Sequence, residues 1–277
     1  MSTSDRVRSL GFAANSTERA LVALQNAARS ASEACVAEEV PVAFVYSGRP
    51  HVVMMCTPDN LEDLAVGFTV SEQIVEGPEH VEAIDIERHR RGIEVRVRIP
   101  QRALDALAVR ARALAGRTGC GLCGVEAIDD AVRPARKVES ALTFAADALW
   151  RAGASLDAHQ PLNRETRTVH AAAWANSDGV LRIVREDVGR HNALDKVLGA
   201  LLREGGNPAT GFLVVTSRAS FELVQKATTL GVPLLAAVSR PTGLAVTLAE
   251  ESGLTLVGVL RGRSANIYTH AERVRSS

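Results

Sequence analysis

Two of the chain's four cysteines, Cys120 and Cys123, fall in the stretch Arg117-Thr-Gly-Cys-Gly-Leu-Cys-Gly-Val-Glu126. Glycines at 119, 121 and 124 add backbone entropy and pack nothing, so the stretch predicts a loop that holds two thiols close together beside Arg117. Three chemistries fit that loop. A structural zinc site needs four ligands, and Cys35 and Cys56 stand alone elsewhere in the chain with no second C-x-x-C. A dithiol redox centre uses this spacing, but the thioredoxin-like kind starts a helix whose N-terminus lowers the thiol pKa, and Gly121 and Gly124 do not suggest such a start. A persulfide carrier needs an exposed nucleophile on a loop that can swing, with a cation nearby to favour thiolate. The glycines and Arg117 suit that demand, and the motif by itself does not separate it from redox chemistry.

A second cluster is Glu186-Asp-Val-Gly-Arg-His-Asn-Ala-Leu-Asp-Lys196, which follows a predicted strand and opens a predicted helix. Ligands of open α/β sheets bind outside the carboxyl ends of the strands, and helix N-termini favour anions. Asp187, Arg190, His191 and Asn192 are more polar groups than capping one helix requires, so the segment predicts a ligand or partner site. Thr216-Ser-Arg-Ala-Ser220 and Ser239-Arg-Pro-Thr-Gly243 occupy the same strand-to-helix position, and Arg261-Gly-Arg-Ser264 follows the last predicted strand. Serine and threonine cap helices routinely; the repetition with arginine suits a phosphate-bearing ligand. His170, in Val169-His-Ala-Ala-Ala173, sits where a zinc deaminase of nucleobases would read H-x-E. Ala172 replaces the glutamate and no cysteine follows Cys123, which argues against hydrolytic deamination.

The elements that must position these groups belong to a chain of ordinary composition. At 277 residues, 46% hydrophobic and with 32 basic against 32 acidic residues, it is long enough for two domains and presents no global basic field for nucleic acid. Only Lys137, Lys196 and Lys226 among the basic residues are lysines. No run reaches the roughly 18 apolar residues of a membrane span, and Met1 to Ser9 lacks the apolar core of a signal peptide. The expected location is the cytoplasm, where thiols stay reduced and four cysteines do not make a disulfide framework. Residues 1–35 read as a weakly ordered leader with one helix around Glu18 to Arg29. Residues 36–135 read as a small α+β domain: a hairpin over 40–46 and 51–56, a helix capped by Thr57 with Pro58 at its first position, strands near 81–87 and 93–99, and a helix over 101–114 that runs into the cysteine loop. Residues 136–277 alternate strands near 168–175, 181–185, 212–216, 233–238 and 254–260 with helices near 140–151, 190–203, 219–230 and 243–251, which predicts a largely parallel, helix-covered sheet.

With these residues assembled, the chain resembles the formate dehydrogenase accessory sulfurtransferase family, FdhD/NarQ. The resemblance rests on Thr57-Pro-Asp-Asn-Leu-Glu-Asp-Leu-Ala-Val-Gly-Phe68, Gly119-Cys-Gly-Leu-Cys-Gly124, the 186–196 segment, Phe221-Glu-Leu-Val-Gln-Lys-Ala227, Gly243-Leu-Ala-Val246 and Asn266-Ile-Tyr-Thr-His270. It implies an α/β fold, a cytidine-deaminase-like three-layer domain preceded by a smaller α+β domain, working as a homodimer. It also implies a sulfur carrier that takes sulfur from a cysteine desulfurase as a cysteine persulfide. The sulfur then passes to the bis-molybdopterin guanine dinucleotide molybdenum cofactor before that cofactor enters formate dehydrogenase. By motif match Cys120 carries the persulfide and Cys123 assists, no resident metal is expected, and Val259, Leu260, Arg261, Gly262, Arg263 and Ser264 form the cofactor-binding segment, for which a guanine nucleotide such as GDP is a mimic. The alternative is a non-catalytic cofactor chaperone whose C-x-x-C serves redox or docking. Relatives carry Thr-Gly-Gly where this chain has Thr166-Arg167-Thr168, a departure that puts ligand contacts at that turn in question.

Overall fold

The computed structural model describes residues 15–26, 28–89, 91–115 and 135–276; Arg117, Cys120 and Cys123 lie outside the described residues. The first described elements are strands: β1 (Ser16–Gln25) and β2 (Ala28–Ala37) pair antiparallel along their whole length. The helix expected over 18–29 is therefore absent. Asn26 breaks it by taking a left-handed φ of 48°, a conformation its short polar side chain tolerates.

The following hairpin is where the sequence places it, as β3 (Val40–Tyr46) and β4 (Arg49–Cys56). After them come α1 (Leu61–Ser71), β5 (Ala83–His89), β6 (Gly92–Arg98) and α2 (Gln101–Ala115). The four strands form one sheet in the order β4-β3-β6-β5. Alternating inward residues Val42, Phe44, Tyr46 and Ile93, Val95, Val97 pack with Leu61, Leu64 and Leu104 of the helices into a core of their own. Helix α1 begins at Leu61 after Asn60, whose φ is 52°, and Thr57 does not cap it.

The second half holds β7 (Phe144–Ala145), α3 (Ala146–Ser155), α4 (Pro161–Thr166), β8 (His170–Asn176), β9 (Leu181–Asp187) and α5 (Arg190–Arg203). Then follow β10 (Gly211–Val215), α6 (Phe221–Thr229), β11 (Leu234–Ala237), α7 (Gly243–Ser252), β12 (Thr255–Arg261), β13 (Ser264–Ile267) and β14 (Val274–Arg275). The main sheet is six-stranded, in the order β13-β12-β11-β10-β8-β9. It is mixed, where the alternation predicted mostly parallel strands: β10, β11 and β12 run parallel, but β8 is antiparallel to both its neighbours and β13 to β12. The physical reason is loop length, since short turns can join only antiparallel neighbours. Asp178-Gly179, with Gly179 at φ 79°, turns β8 into β9, and Gly262 at φ 56° turns β12 into β13. One face of the sheet packs Ala172, Leu213, Leu235 and Leu256 against α5, α6 and α7, while the other packs Ala173, Phe212, Ala236 and Val257 against Phe144 and α3. Helix, sheet and helix make three layers. No helix among the described residues is long and apolar enough to cross a membrane.

Helices α1 and α5 join the two sheets by backbone contact. A Cβ on Gly67 would lie 1.8 Å from the Asp195 carbonyl oxygen, and one on Gly199 would lie 1.8 Å from that of Asp63. Backbone on both sides leaves no flexible group to give way, so neither position accepts a methyl group. Gly67→Ala and Gly199→Ala should each lose on the order of 3 kcal/mol or more of stability in urea unfolding, the cost of overpacking a close contact. Gly243→Ala has nothing within 4 Å of the new Cβ and should stay within about 0.5 kcal/mol of the parent.

Candidate functional site

The 186–196 segment, expected to be a ligand site, spends most of its polar groups on joining the two sheets. Asp187 and Lys196 are fully buried and paired at 2.6 Å. Asp187 accepts from the Thr57 amide at 3.1 Å, the Gly189 amide at 2.8 Å and Asn192 Nδ2 at 3.0 Å. Lys196 donates to the Thr57 carbonyl at 3.0 Å, and Thr57 Oγ1 accepts from the Val188 amide at 3.2 Å, which is why that threonine is not free to cap α1. Asn192 Nδ2 also reaches the Met55 carbonyl at 2.9 Å. One turn further on, Asp195 accepts from Lys226 at 2.9 Å and from Ser71 at 2.7 Å, and Lys226 also reaches Glu72 at 2.8 Å. Burial opposes the Lys226 ammonium, but Asp195 and Glu72 outweigh it and raise its pKa. Glu186 accepts from the Leu162 and Asn163 amides at 2.9 and 2.8 Å and so holds the start of α4, while its own burial raises its pKa. Of Asp187, Arg190, His191 and Asn192, Arg190 and His191 remain toward the strand ends, with His191 Nε2 at 2.6 Å from Glu222.

The strand ends do form a cleft of about 520 Å³. Leu260, Arg261 and Gly262 line it from the end of β12, Val238 and Thr216 from the ends of β11 and β10, and His170 from the start of β8. Its far wall comes from Gly153 in α3, from Asp157 just beyond it, and from Gln160 and Asn163 at the start of α4. Sequence reasoning passed over that wall, and Pro161 at the first position of α4 was the available signal. The hydroxyls around the cleft do structural work: Thr216 Oγ1 accepts from the Ala171 amide at 2.9 Å, and Thr242 caps α7 by accepting from the Ala245 amide at 3.3 Å. The arginines are different. Arg190, Arg218, Arg240 and Arg261 follow or end four strands that point the same way, and none has an acidic partner among the described residues. Arg190 Nε is buried without any hydrogen-bond partner among the described residues. Burial first, then the positive charges of Arg190 and Arg218, hold the His170 imidazole below its ordinary pKa, so the histidine presents a neutral ring to the cleft at neutral pH. Such a place attracts an anion, and arginine meets phosphate oxygens with paired donors.

The other members of the 259–264 segment point elsewhere. Val259 takes a φ of 56° in an irregular stretch of the β12–β13 pairing, and its amide donates to the Ser239 carbonyl at 3.1 Å. Arg263 pairs with Asp147 at 2.7 Å on the exposed side, and Ser264 stands opposite Arg261 in the ladder. Of the two isolated cysteines, Cys56 is buried, which pushes its thiol pKa up, and Cys35 donates to Glu165 Oε1 at 3.1 Å. Glu87, His89 and Glu94 come close enough together to hold a metal ion, but Arg96 lies 2.5 Å from both carboxylates and supplies the cation itself.

A family model described as the FdhD/NarQ family matches residues 37–275. The chain belongs to the FdhD/NarQ family. It is 48% identical over 239 residues to a protein named sulfur carrier protein FdhD from Xanthomonas campestris, covering 86% of this chain and 85% of that one. A protein of the same name from Cupriavidus necator is 48% identical over 240 residues, covering 87% of this chain and 83% of its own. A crystal structure of a putative formate dehydrogenase accessory protein from Desulfotalea psychrophila superimposes with a TM-score of 0.73 over 95% of this chain and 100% of that one, at 23% identity, and so shares the fold. Where the resemblance places a glycine in the 166–168 turn, Arg167 itself adopts the left-handed conformation at φ 58° as it ends α4. The turn beside the cleft therefore keeps a geometry that glycine would favour, at a backbone cost of about 1–2 kcal/mol.

Two outcomes follow from these contacts. Lys196→Met leaves Asp187 buried without its counter-ion and should cost about 3–5 kcal/mol in urea unfolding. For His170 the unfolded chain binds its proton near pH 6.5 and the folded chain only at lower pH, so stability falls as pH drops through that window. His170→Asn should make the loss between pH 6.5 and 5.5 shallower by less than one bound proton, read from urea midpoints at the two pH values.

Proposed function

We propose that this chain is a cytoplasmic sulfur carrier and sulfurtransferase that serves formate dehydrogenase. In this reading the Cys120 thiolate attacks the terminal sulfur of a cysteine desulfurase persulfide. An S–S bond forms to Cys120, the desulfurase cysteine leaves as thiolate, and no net oxidation occurs. Cys123 assists the onward transfer: its thiolate attacks the inner sulfur of the Cys120 persulfide, a Cys120–Cys123 disulfide forms, and the terminal sulfur leaves as sulfide for the molybdenum of a bis-molybdopterin guanine dinucleotide, bound as substrate, which then passes to formate dehydrogenase. The working form is a homodimer. The names of the relatives at 48% identity support the carrier role. The observation that carries the acceptor half is the cleft with Arg261 on its rim and Arg190, Arg218 and Arg240 at neighbouring strand ends, a setting that suits the phosphates of a dinucleotide. The sheet order, with β8 antiparallel between β9 and β10 and with helices on both faces, supports reading the second unit as a cytidine-deaminase-like domain. Ala172 stands where a deaminase would need its glutamate, in keeping with a fold turned from hydrolysis to binding.

Incubation with a cysteine desulfurase and cysteine should add one sulfur mass to the peptide that contains Cys120, and Cys120→Ala should lose the adduct. Persistence of the adduct in that variant sinks the assignment. Full rescue of formate dehydrogenase by Cys120→Ala would instead favour a cofactor chaperone whose cysteines serve docking or redox. In calorimetry, GDP should bind the wild-type chain, and Arg261→Ala should weaken it by about tenfold or more, as expected for the loss of one paired arginine–phosphate contact. Unchanged affinity removes Arg261 from the site.

A further inference from the structure

The cleft at the strand ends has two unlike walls. Of the described residues that line it, Arg261 is the one permanent cation and Asp157 the one carboxylate. Asp157 belongs to a single helical turn, Leu156–His159, and has no cationic partner among the described residues. Its Oδ1 accepts from Gln160 Nε2 at 3.4 Å, and Gln160 Oε1 accepts from Asn163 Nδ2 at 3.5 Å. Both bonds are longer than is usual between nitrogen and oxygen. Gln160 is only 2% exposed, and Glu186 fixes the backbone next to it through the Leu162 and Asn163 amides. A primary amide offers two donors and two acceptor sites, and a carboxylate about four acceptor sites, so this wall keeps unused capacity of both kinds.

A free carboxylate is out of place in a cleft that takes phosphate alone, because like charges repel more strongly where water is partly excluded. The two walls suit a ligand with anionic oxygens at one end and N–H donors at the other. At about 520 Å³ the cleft lies within the range of about 300–1,000 Å³ usual for small-molecule sites. Among the nucleobases, guanine carries two adjacent donors, N1–H and the 2-amino group, which meet both oxygens of one carboxylate. Adenine turns a lone pair at N1 to the same place. Cytosine sets a lone pair beside its amino group, and uracil has one N–H between two carbonyls. We propose, resting on the nucleotide reading of the cleft above, that Asp157 selects the guanine base: its two oxygens accept from N1–H and the 2-amino group, and an amide of Gln160 or Asn163 donates to O6. The phosphates then extend toward Arg261. Arginine supplies affinity that any nucleotide shares, and Asp157 supplies the choice of base.

Calorimetry of the full chain with GDP, ADP and xanthosine diphosphate is the test, comparing wild type with Asp157→Asn. Xanthine has a carbonyl where guanine has the 2-amino group, so an asparagine matches it, accepting from N1–H and donating to that carbonyl. Asp157 is exposed and the substitution keeps its shape, so the urea midpoint should not move. Wild type should bind GDP at least about tenfold more tightly than ADP or xanthosine diphosphate, the effect of one charged hydrogen bond or more. Asp157→Asn should weaken GDP by at least about tenfold and bind xanthosine diphosphate more tightly than GDP. Equal wild-type affinity for GDP and ADP, or unchanged GDP binding in Asp157→Asn, overturns the base contact and leaves the nucleotide cleft standing where Arg261→Ala still weakens GDP. Loss of GDP without a gain for xanthosine diphosphate also overturns the contact. A wild-type chain that binds no GDP overturns the nucleotide reading and the base contact together.

Discussion

The contact between Gly67 and Gly199 is the constraint on which the rest of the molecule depends. Two helices can approach until backbone touches backbone only where neither carries a side chain, and α1 and α5 do so. That approach brings Asp187, Lys196 and Thr57 within reach of one another on one side, and Ser71, Asp195 and Lys226 on the other. Charges buried this deeply are tolerated because each has its counter-ion and further hydrogen bonds. Two of the chain's three lysines lie in these networks, whereas Arg185 and Arg203, which pair with Asp63 beside them, keep 25% and 40% of their side chains exposed.

The junction in turn sets the edge of the main sheet. Glu186 holds α4 by two backbone amides, and α4 with the turn before it forms one wall of the cleft opposite β12. The residues at the strand ends thereby divide their labour. Thr216 and Thr242 satisfy backbone groups, and Asp187 is used up in the junction. What remains is a set of arginines without acidic partners among the described residues, two of which, Arg190 and Arg218, act on the neutral His170. An anion arriving there does not first have to break an ion pair, which favours association.

Much of this was legible in the residues. The β3–β4 hairpin was readable because β-branched residues flank the Ser47-Gly48 turn, and β6 because its apolar residues alternate with charged ones. The arginines at the strand ends were readable because they recur in one topological place. The hairpin over 16–37 was not, since alanine-rich segments suit helix and strand alike and the choice is made by contacts remote in sequence. The mixed sheet was misjudged because alternation of strands and helices says nothing about which strands neighbour each other; Asp178-Gly179 was the overlooked signal for β8 and β9. Thr57 was read as a helix cap, a local role, whereas its partners lie 130 residues away.

By itself, then, the sequence determined the family, the order of most elements, and the residue types that gather at the strand ends and in the C-x-x-C. Each of these depends on local periodicity or on motifs read along the chain. Only the tertiary structure decided which polar residues serve the fold and which face the cleft. Asp187 and Arg190 stand three residues apart in one motif, yet one is sealed in an ion pair and the other keeps a guanidinium nitrogen without a partner among the described residues. A side chain's task follows from what the other sheet brings against it, and that is set by the helix crossing at Gly67 and Gly199.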